Sequence, residues 1–248
     1  MFPIRDHNPS GRVPYVTYAL ILLNCSVFLT YYPFLQEPQL SYFFYDWGMV
    51  PRFLSEGSGH TGLVTHMFLH GGWMHLFGNM LFLFIFGDNL EERMGHVGFV
   101  VFYLLSGFAA AALQFAADPM AEIPMVGASG AIAGVMGGYL LLYPKAKVDV
   151  LFIFIIFFRI FPIPAWLVLG FWFASQVFNG AMTPTADGGV AYLAHVGGFV
   201  AGVVLSLRVW LRLGGMAFWG RTHGVPPHPE AEYKFSKSTI PAIPRRPR

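Results

Sequence analysis

The chain of 248 residues is 55% hydrophobic and 17% aromatic but only 11% charged, far below the quarter of charged residues usual in soluble domains. With a mean hydropathy of +0.55 and long uncharged runs, this composition excludes a soluble globular protein and implies a polytopic membrane protein, since each lipid-spanning helix needs about 20 mostly apolar residues. The formal net charge of +2 hides a gradient: residues 221–248 carry six Lys or Arg against two Glu, leaving nine basic and eleven acidic residues before them. A basic segment beside a membrane marks the cytoplasmic side, and nothing in it points to nucleic acid. The lone Cys25 excludes an intramolecular disulfide and a cysteine-based zinc cluster.

In chain order, a short cytoplasmic N-terminus, residues 1–12, precedes a first uncharged span from Val13 to about Tyr32. No small-residue cleavage site follows it, so it is retained rather than removed as a signal peptide. Residues 33–70 form a long first loop rich in aromatics (Tyr42, Phe43, Phe44, Tyr45, Trp47), a composition suited to the membrane interface. Further spans are expected over Gly72–Leu90, His96–Ala117 and Ala128–Tyr143. Pro162 and Pro164 divide the next apolar stretch into an approach segment, 148–160, and a fifth span, 163–179. A sixth covers 190–211, and the proline-rich residues 214–248 read as a disordered basic cytoplasmic tail. Six spans put both termini on one side. Arg5 and Arg12, Lys145 and Lys147, Arg208, Arg212 and the tail share that side, while the connections 118–126 and 180–189 lack Lys and Arg; that side is therefore cytoplasmic.

The spans expected second, fourth and sixth then begin at the same outer depth, with His75 and Asn79, Ser129, and His195 in their first turns. Polar side chains in spans are costly and face a cavity or each other, so their shared depth is the signal. Ser129 alone is explicable as packing, because Gly130, Gly134 and Gly138 form overlapping GxxxG repeats directly after it. The surrounding Gly127-Ala128-Ser129-Gly130-Ala131 is not the GxSxG elbow of α/β-hydrolases. His195 has its own small-residue seam in Ala194, Gly198 and Gly202. Two such seams can approach closely enough for His195 to accept the Ser129 hydroxyl proton, which a serine nucleophile requires. His75 and Asn79 are four apart and share a helical face; as donors beside the Ser129 N–H they would make an oxyanion hole. His66, His70 and Gly71-Gly72 precede them. A metal site is the weaker reading, since HxxxH here lacks the Glu of HExxH, and His66 and His70 are expected to pin the loop by hydrogen bonds.

These residues make the sequence similar to the rhomboid intramembrane serine proteases over roughly residues 13–212. The resemblance rests on His70, His75 and Asn79, on Glu91 and Arg93 in Leu-Glu-Glu-Arg-Met-Gly, on Gly-Ala-Ser-Gly around Ser129, and on Ala-His-Val-Gly-Gly-Phe-Val-Ala-Gly around His195. It implies an all-α membrane protein, a six-transmembrane-helix bundle over 13–213 with a long interfacial first loop. It implies Ser129 as nucleophile, His195 as general base and then acid, and His75, Asn79 and the Ser129 N–H around the oxyanion. No metal and no cofactor is required, and the partners are the lipid bilayer and a transmembrane helix of another membrane protein. The same resemblance assigns Glu91 and Arg93 to tethering the first loop and helix ends. Two positions depart from the pattern. Ala133 stands where many bacterial members carry a Tyr stacked on the general base, and Val126-Gly127 stands where two glycines are frequent; another aromatic such as Tyr192 is then expected to orient His195.

Substrate entry from lipid is expected between the second and fifth spans, past Phe82 and a wall of Trp166, Phe171, Trp172 and Phe173. Two other readings stand beside the protease: a catalytically silent rhomboid-like protein that binds transmembrane clients, and a small transporter, which lacks the inverted repeat expected of one. The minimal layout suggests, by analogy, a prokaryotic plasma membrane.

Overall fold

A computed structural model describes residues 2–154, 157–183, 189–227 and 229–231. The first helix, α1 (Tyr15–Tyr31), is followed by three short helices, α2 (Gln39–Trp47), α3 (Pro51–Ser55) and α4 (Gly62–Thr65), and a 3-10 turn at His66–Phe68. Then come α5 (Trp73–Met94), α6 (His96–Ala117), α7 (Ser129–Leu142), α8 (Ala165–Met182), α9 (Tyr192–Arg212) and α10 (Met216–Thr222). Two of these, α6 and α9, are long and apolar enough to cross a membrane. The pair Gly62–Phe68 and Trp73–Met94, bent by 89°, makes a third if it is taken as one span, and α1 and α7 are shorter apolar helices.

The chain is mostly helical but not all-α. Strands β1 (Phe2–Asp6), β2 (Lys147–Phe154) and β3 (Phe157–Pro164) form an antiparallel sheet in that order. The approach segment expected at 148–160 thus falls on the paired strands β2 and β3, and the polar start expected at 1–12 contains strand β1. The physical reason is compositional. Val148 to Phe154 is dense in β-branched and aromatic residues, and Pro162 and Pro164 sit on an edge strand, whose free side needs no N–H donor. The helix expected from 163 therefore starts at Ala165, where its first N–H groups bond the carbonyls of Ala146 and Pro144.

The sheet is fastened by charge. Arg5 Nε donates to Asp149 Oδ2 at 2.6 Å, and His7 Nε2 lies 2.9 Å from Oδ1. Partial burial pushes the Asp149 carboxyl up, but these hydrogen bonds prevail and hold it below its ordinary value. Asp6 behaves oppositely: burial pushes its carboxyl up to about 7, although the Tyr139 hydroxyl donates to it at 2.6 Å. At the same end, the buried Glu91 carboxylate accepts Val16 N (2.9 Å), Thr17 N (2.8 Å) and Thr17 Oγ1 (2.8 Å). It supplies the cap that Pro14 cannot and places an anion at the start of α1. Glu91 thus ties helix ends together, while Arg93 bonds the Tyr143 hydroxyl.

The expected disordered tail begins with a helix: α10 packs back, with Phe218 buried, the rings of Trp219 and Trp210 5.0 Å apart, and Trp219 Nε1 donating to Leu141 O at 3.1 Å. The rest of the expected tail, 232–248, lies outside the described residues. The first loop is likewise folded rather than irregular, with Phe43 stacked on Tyr31 at 4.6 Å.

Helix α7 sits at the centre, buried over nearly all its length, which suits a helix apolar all round. A methyl added at Gly198 would stand 1.9 Å from Gly130 O, and one at Gly202 1.9 Å from Gly134 O. Helices α7 and α9 therefore touch backbone to backbone, as small-residue seams allow. Gly202→Ala is expected to destabilise the fold by about 1–3 kcal/mol, read as a lowered thermal midpoint in detergent. Asp6 gives a second test. Its folded carboxyl holds a proton that the unfolded chain releases near 3.8, so its contribution is full below that pH and is lost as pH rises through about 7. Asp6→Asn should flatten the fall in thermal midpoint over that window.

Candidate active site

Ser129 is the first residue of α7, so its N–H has no acceptor within the helix. His195 lies in the first turn of α9. The glycine contact one residue after Ser129 and three after His195 brings their side chains together: His195 Nε2 is 2.8 Å from Ser129 Oγ. The imidazole is nearly buried, and both residues line a cavity of about 580 Å³, within the size range of ligand sites. Met74, His75, Gln114 and Gly127 lie on its wall.

His75 enters from α5. Its Nδ1 accepts the Gly71 N–H at 3.2 Å, which leaves the ring hydrogen on Nε2. That atom points at the loop before Ser129: a methyl on Gly127 would meet His75 Nε2 at 2.8 Å and Ser129 Oγ at 3.4 Å. Gly127 also has φ +133, a region open mainly to glycine, and its N–H donates to His66 O at 2.9 Å. Asn79 shares the face but lies one turn on, where Nδ2 donates to His75 O at 2.9 Å. It is not among the residues lining the cavity.

His66 pins its own loop, Nδ1 donating to Gly62 O at 2.8 Å. His70 is pinned through its main chain: the Tyr31 hydroxyl accepts its N–H at 2.7 Å and donates to its carbonyl at 2.8 Å. Among the described residues no three His, Cys, Asp or Glu side chains are grouped to hold a metal ion.

Sequence reasoning missed the contacts of the His195 ring. Tyr192 lines the cavity, but the partners of the His195 ring come from α8. Gln176 Oε1 lies 2.8 Å from His195 Nδ1, and the Trp172 ring is tilted 34° to the imidazole at 5.6 Å. The available signal was polar: Ser175 and Gln176 interrupt an otherwise apolar run, and such residues in spans face partners.

The family model for the Rhomboid domain matches residues 58–212. The chain belongs to the rhomboid family. This rhomboid is 30% identical over 195 residues to Rhomboid protein 1, mitochondrial, of Saccharomyces cerevisiae, covering 76% of this chain and 51% of that one. It is 32% identical over 158 residues to Rhomboid-like protein 11, chloroplastic, of Arabidopsis thaliana, covering 60% and 51%. A Bacillus subtilis member is 37% identical over 78 residues, covering 32% and 39%. The alignments thus span about half the length of these relatives, or less. Family membership makes this rhomboid an integral membrane protein; the names of these relatives include mitochondrial and chloroplast proteins, so the comparisons give no support to the prokaryotic plasma membrane expected from the layout.

Because a side chain at Gly127 would displace His75, Gly127→Ala should slow labelling of Ser129 by a fluorophosphonate by about a hundredfold, measured against the wild-type protein at equal folded content.

Proposed function

We propose that this rhomboid is an intramembrane serine endopeptidase that hydrolyses a peptide bond in or near the transmembrane helix of another membrane protein. The observation that carries the proposal is the 2.8 Å approach of His195 Nε2 to Ser129 Oγ at the wall of a cavity.

Ser129 Oγ attacks the carbonyl carbon while His195 Nε2 takes its proton. The oxyanion that forms is met by the Ser129 N–H and His75 Nε2–H; Asn79, whose Nδ2 is bonded to the His75 carbonyl, would have to turn towards the cavity to join them. The tetrahedral intermediate collapses as the C–N bond breaks, and His195 returns the proton to the leaving amine. Water, activated by the same imidazole, then hydrolyses the acyl-enzyme. A substrate helix must unwind locally to present its carbonyl, which favours small and helix-breaking residues near the cut.

The topology proposed for this chemistry has six spans, α1 and α5 to α9, with both termini cytoplasmic and the folded first loop in the outer interface. Side-of-membrane pairing supports it. Strand β1 pairs with β2, Lys145 N donates to Gly224 O, and Ala231 N donates to His7 O. Residues 2–7, 145–154, 224–227 and 229–231 are thereby joined, as an even number of crossings between each pair would allow. Substrate would enter from lipid between α5 and α8. Trp166 and Phe171 are exposed, whereas the partly buried Trp172 and Phe173 pack on His195 and Phe199.

The test is cleavage of a fluorogenic transmembrane peptide by purified protein in proteoliposomes. Ser129→Ala and His195→Ala should each abolish turnover with folding retained, and His75→Ala should reduce it by about a hundred- to a thousandfold. A folded wild type inert towards varied peptides, with Ser129 unlabelled by a fluorophosphonate, would replace this proposal with the silent client-binding reading.

A further inference from the structure

We propose that Gln176 is a positioning residue that holds His195 as the Nδ1–H tautomer, completing a Ser129-His195-Gln176 relay in which a neutral amide occupies the third place. The proposal rests on the serine protease reading above and deepens it.

The orientation of the amide follows from its neighbours. Gln176 Nε2 lies 3.3 Å from Trp172 O and 3.0 Å from Ser175 Oγ. The Trp172 carbonyl can only accept, and Ser175 Oγ donates to that same carbonyl at 2.6 Å, so the amide atom facing them is the NH2 group. The atom facing His195 Nδ1 at 2.8 Å is therefore the carbonyl oxygen. An amide oxygen only accepts, so Nδ1 carries the hydrogen, and Nε2 presents its lone pair to the Ser129 hydroxyl at 2.8 Å. Reversing the tautomer would leave two acceptors facing each other in a site where Gln176 and His195 are both buried, a costly arrangement.

The residue belongs to this chain's own solution for orienting the base. At position 133 the buried Ala offers no ring to stack on His195. Helix α8 supplies both constraints instead, Trp172 against the ring and Gln176 at Nδ1, from residues one turn apart. A neutral amide fixes direction without the countercharge that a carboxylate would bring to the imidazolium. Of the groups around the imidazole, α7 offers Ser129, α8 offers Gln176 and Trp172, and the titratable residue across the cavity is His75 of α5.

Gln176→Leu and Gln176→Glu test this. The Leu variant removes the acceptor at similar volume and should lower kcat by at least about tenfold with KM within twofold of wild type. The Glu variant keeps an acceptor and adds charge; it should retain turnover, while the acid limb of its kcat/KM profile moves to higher pH by about one unit or more. A purely structural role for Gln176 would not move that limb. Nitrogen-15 NMR of histidine-labelled protein in micelles reads the tautomer without requiring activity: wild type should show the Nδ1–H form of His195, and the Leu variant a mixture. Loss of turnover in wild type with the Nδ1–H form intact would refute the protease reading and leave the positioning role standing. A Leu variant with wild-type kcat, a Glu variant with an unmoved acid limb, or a wild-type His195 protonated on Nε2 would each overturn the proposal. Should the Leu variant fail to fold, the Glu profile and the wild-type spectrum decide it.

Discussion

The approach of two helix backbones, α7 and α9, is the constraint on which the remaining architecture depends. In lipid no hydrophobic force drives helices together, so association relies on close packing and on polar bonds across the contact. Gly130 faces Gly198, and Gly134 faces both Gly198 and Gly202, at distances where a single methyl would collide with a carbonyl oxygen. Ordinary helix pairs stand 8–10 Å apart with side chains between them. Here that layer is missing, and the first side chains beyond the seam are Ser129 and His195. Their 2.8 Å contact is thus set by main-chain packing, which deforms far less than long side chains do.

The two ends of the bundle are built for opposite tasks. Around Ser129 the chain leaves polar groups facing open space: a free helix N-terminus, the His75 ring and the 580 Å³ cavity. At the other end several buried polar groups answer one another. Glu91 caps α1, Asp149 binds Arg5 and His7, and Tyr139 bonds Asp6. A rigid floor of this kind lets the far end remain open without the helices splaying, because α1, α5 and α7 are joined there by directional bonds rather than by dispersion alone.

How much of this was legible in the sequence varied with the length over which each signal acts. The main helices were readable because an uncharged run of some 20 residues is a long signal, and Ser129, His195 and His75 were readable because polar residues at one depth stand out against apolar spans. The sheet was not. An apolar stretch such as 148–154 looks alike as strand or as helix approach until its partner is known, and its partner β1 lies some 140 residues earlier. Helix α10 was hidden by the proline-rich composition around it; burial of Phe218 and the Trp219 bond to Leu141 are tertiary facts that override local propensity. Gln176 was not legible because a polar residue in an apolar run does not name its partner, and its contact with His195 joins two helices.

The pairing of β1 with β2 also fixes an order of events. Residues 2–6 are made before the intervening helices, yet their hydrogen-bonding partner is residues 148–151, and the last strand of the sheet ends at Pro164. Until β2 is made the strand lacks its hydrogen-bonding partner. Such distant pairing is slow to form. Closure of the sheet therefore waits until α1, α5, α6 and α7 have been made, because they all lie between its two strands in the chain. A chain stalled earlier would expose an unpaired, partly apolar strand, the kind of edge that invites aggregation or recognition by quality control.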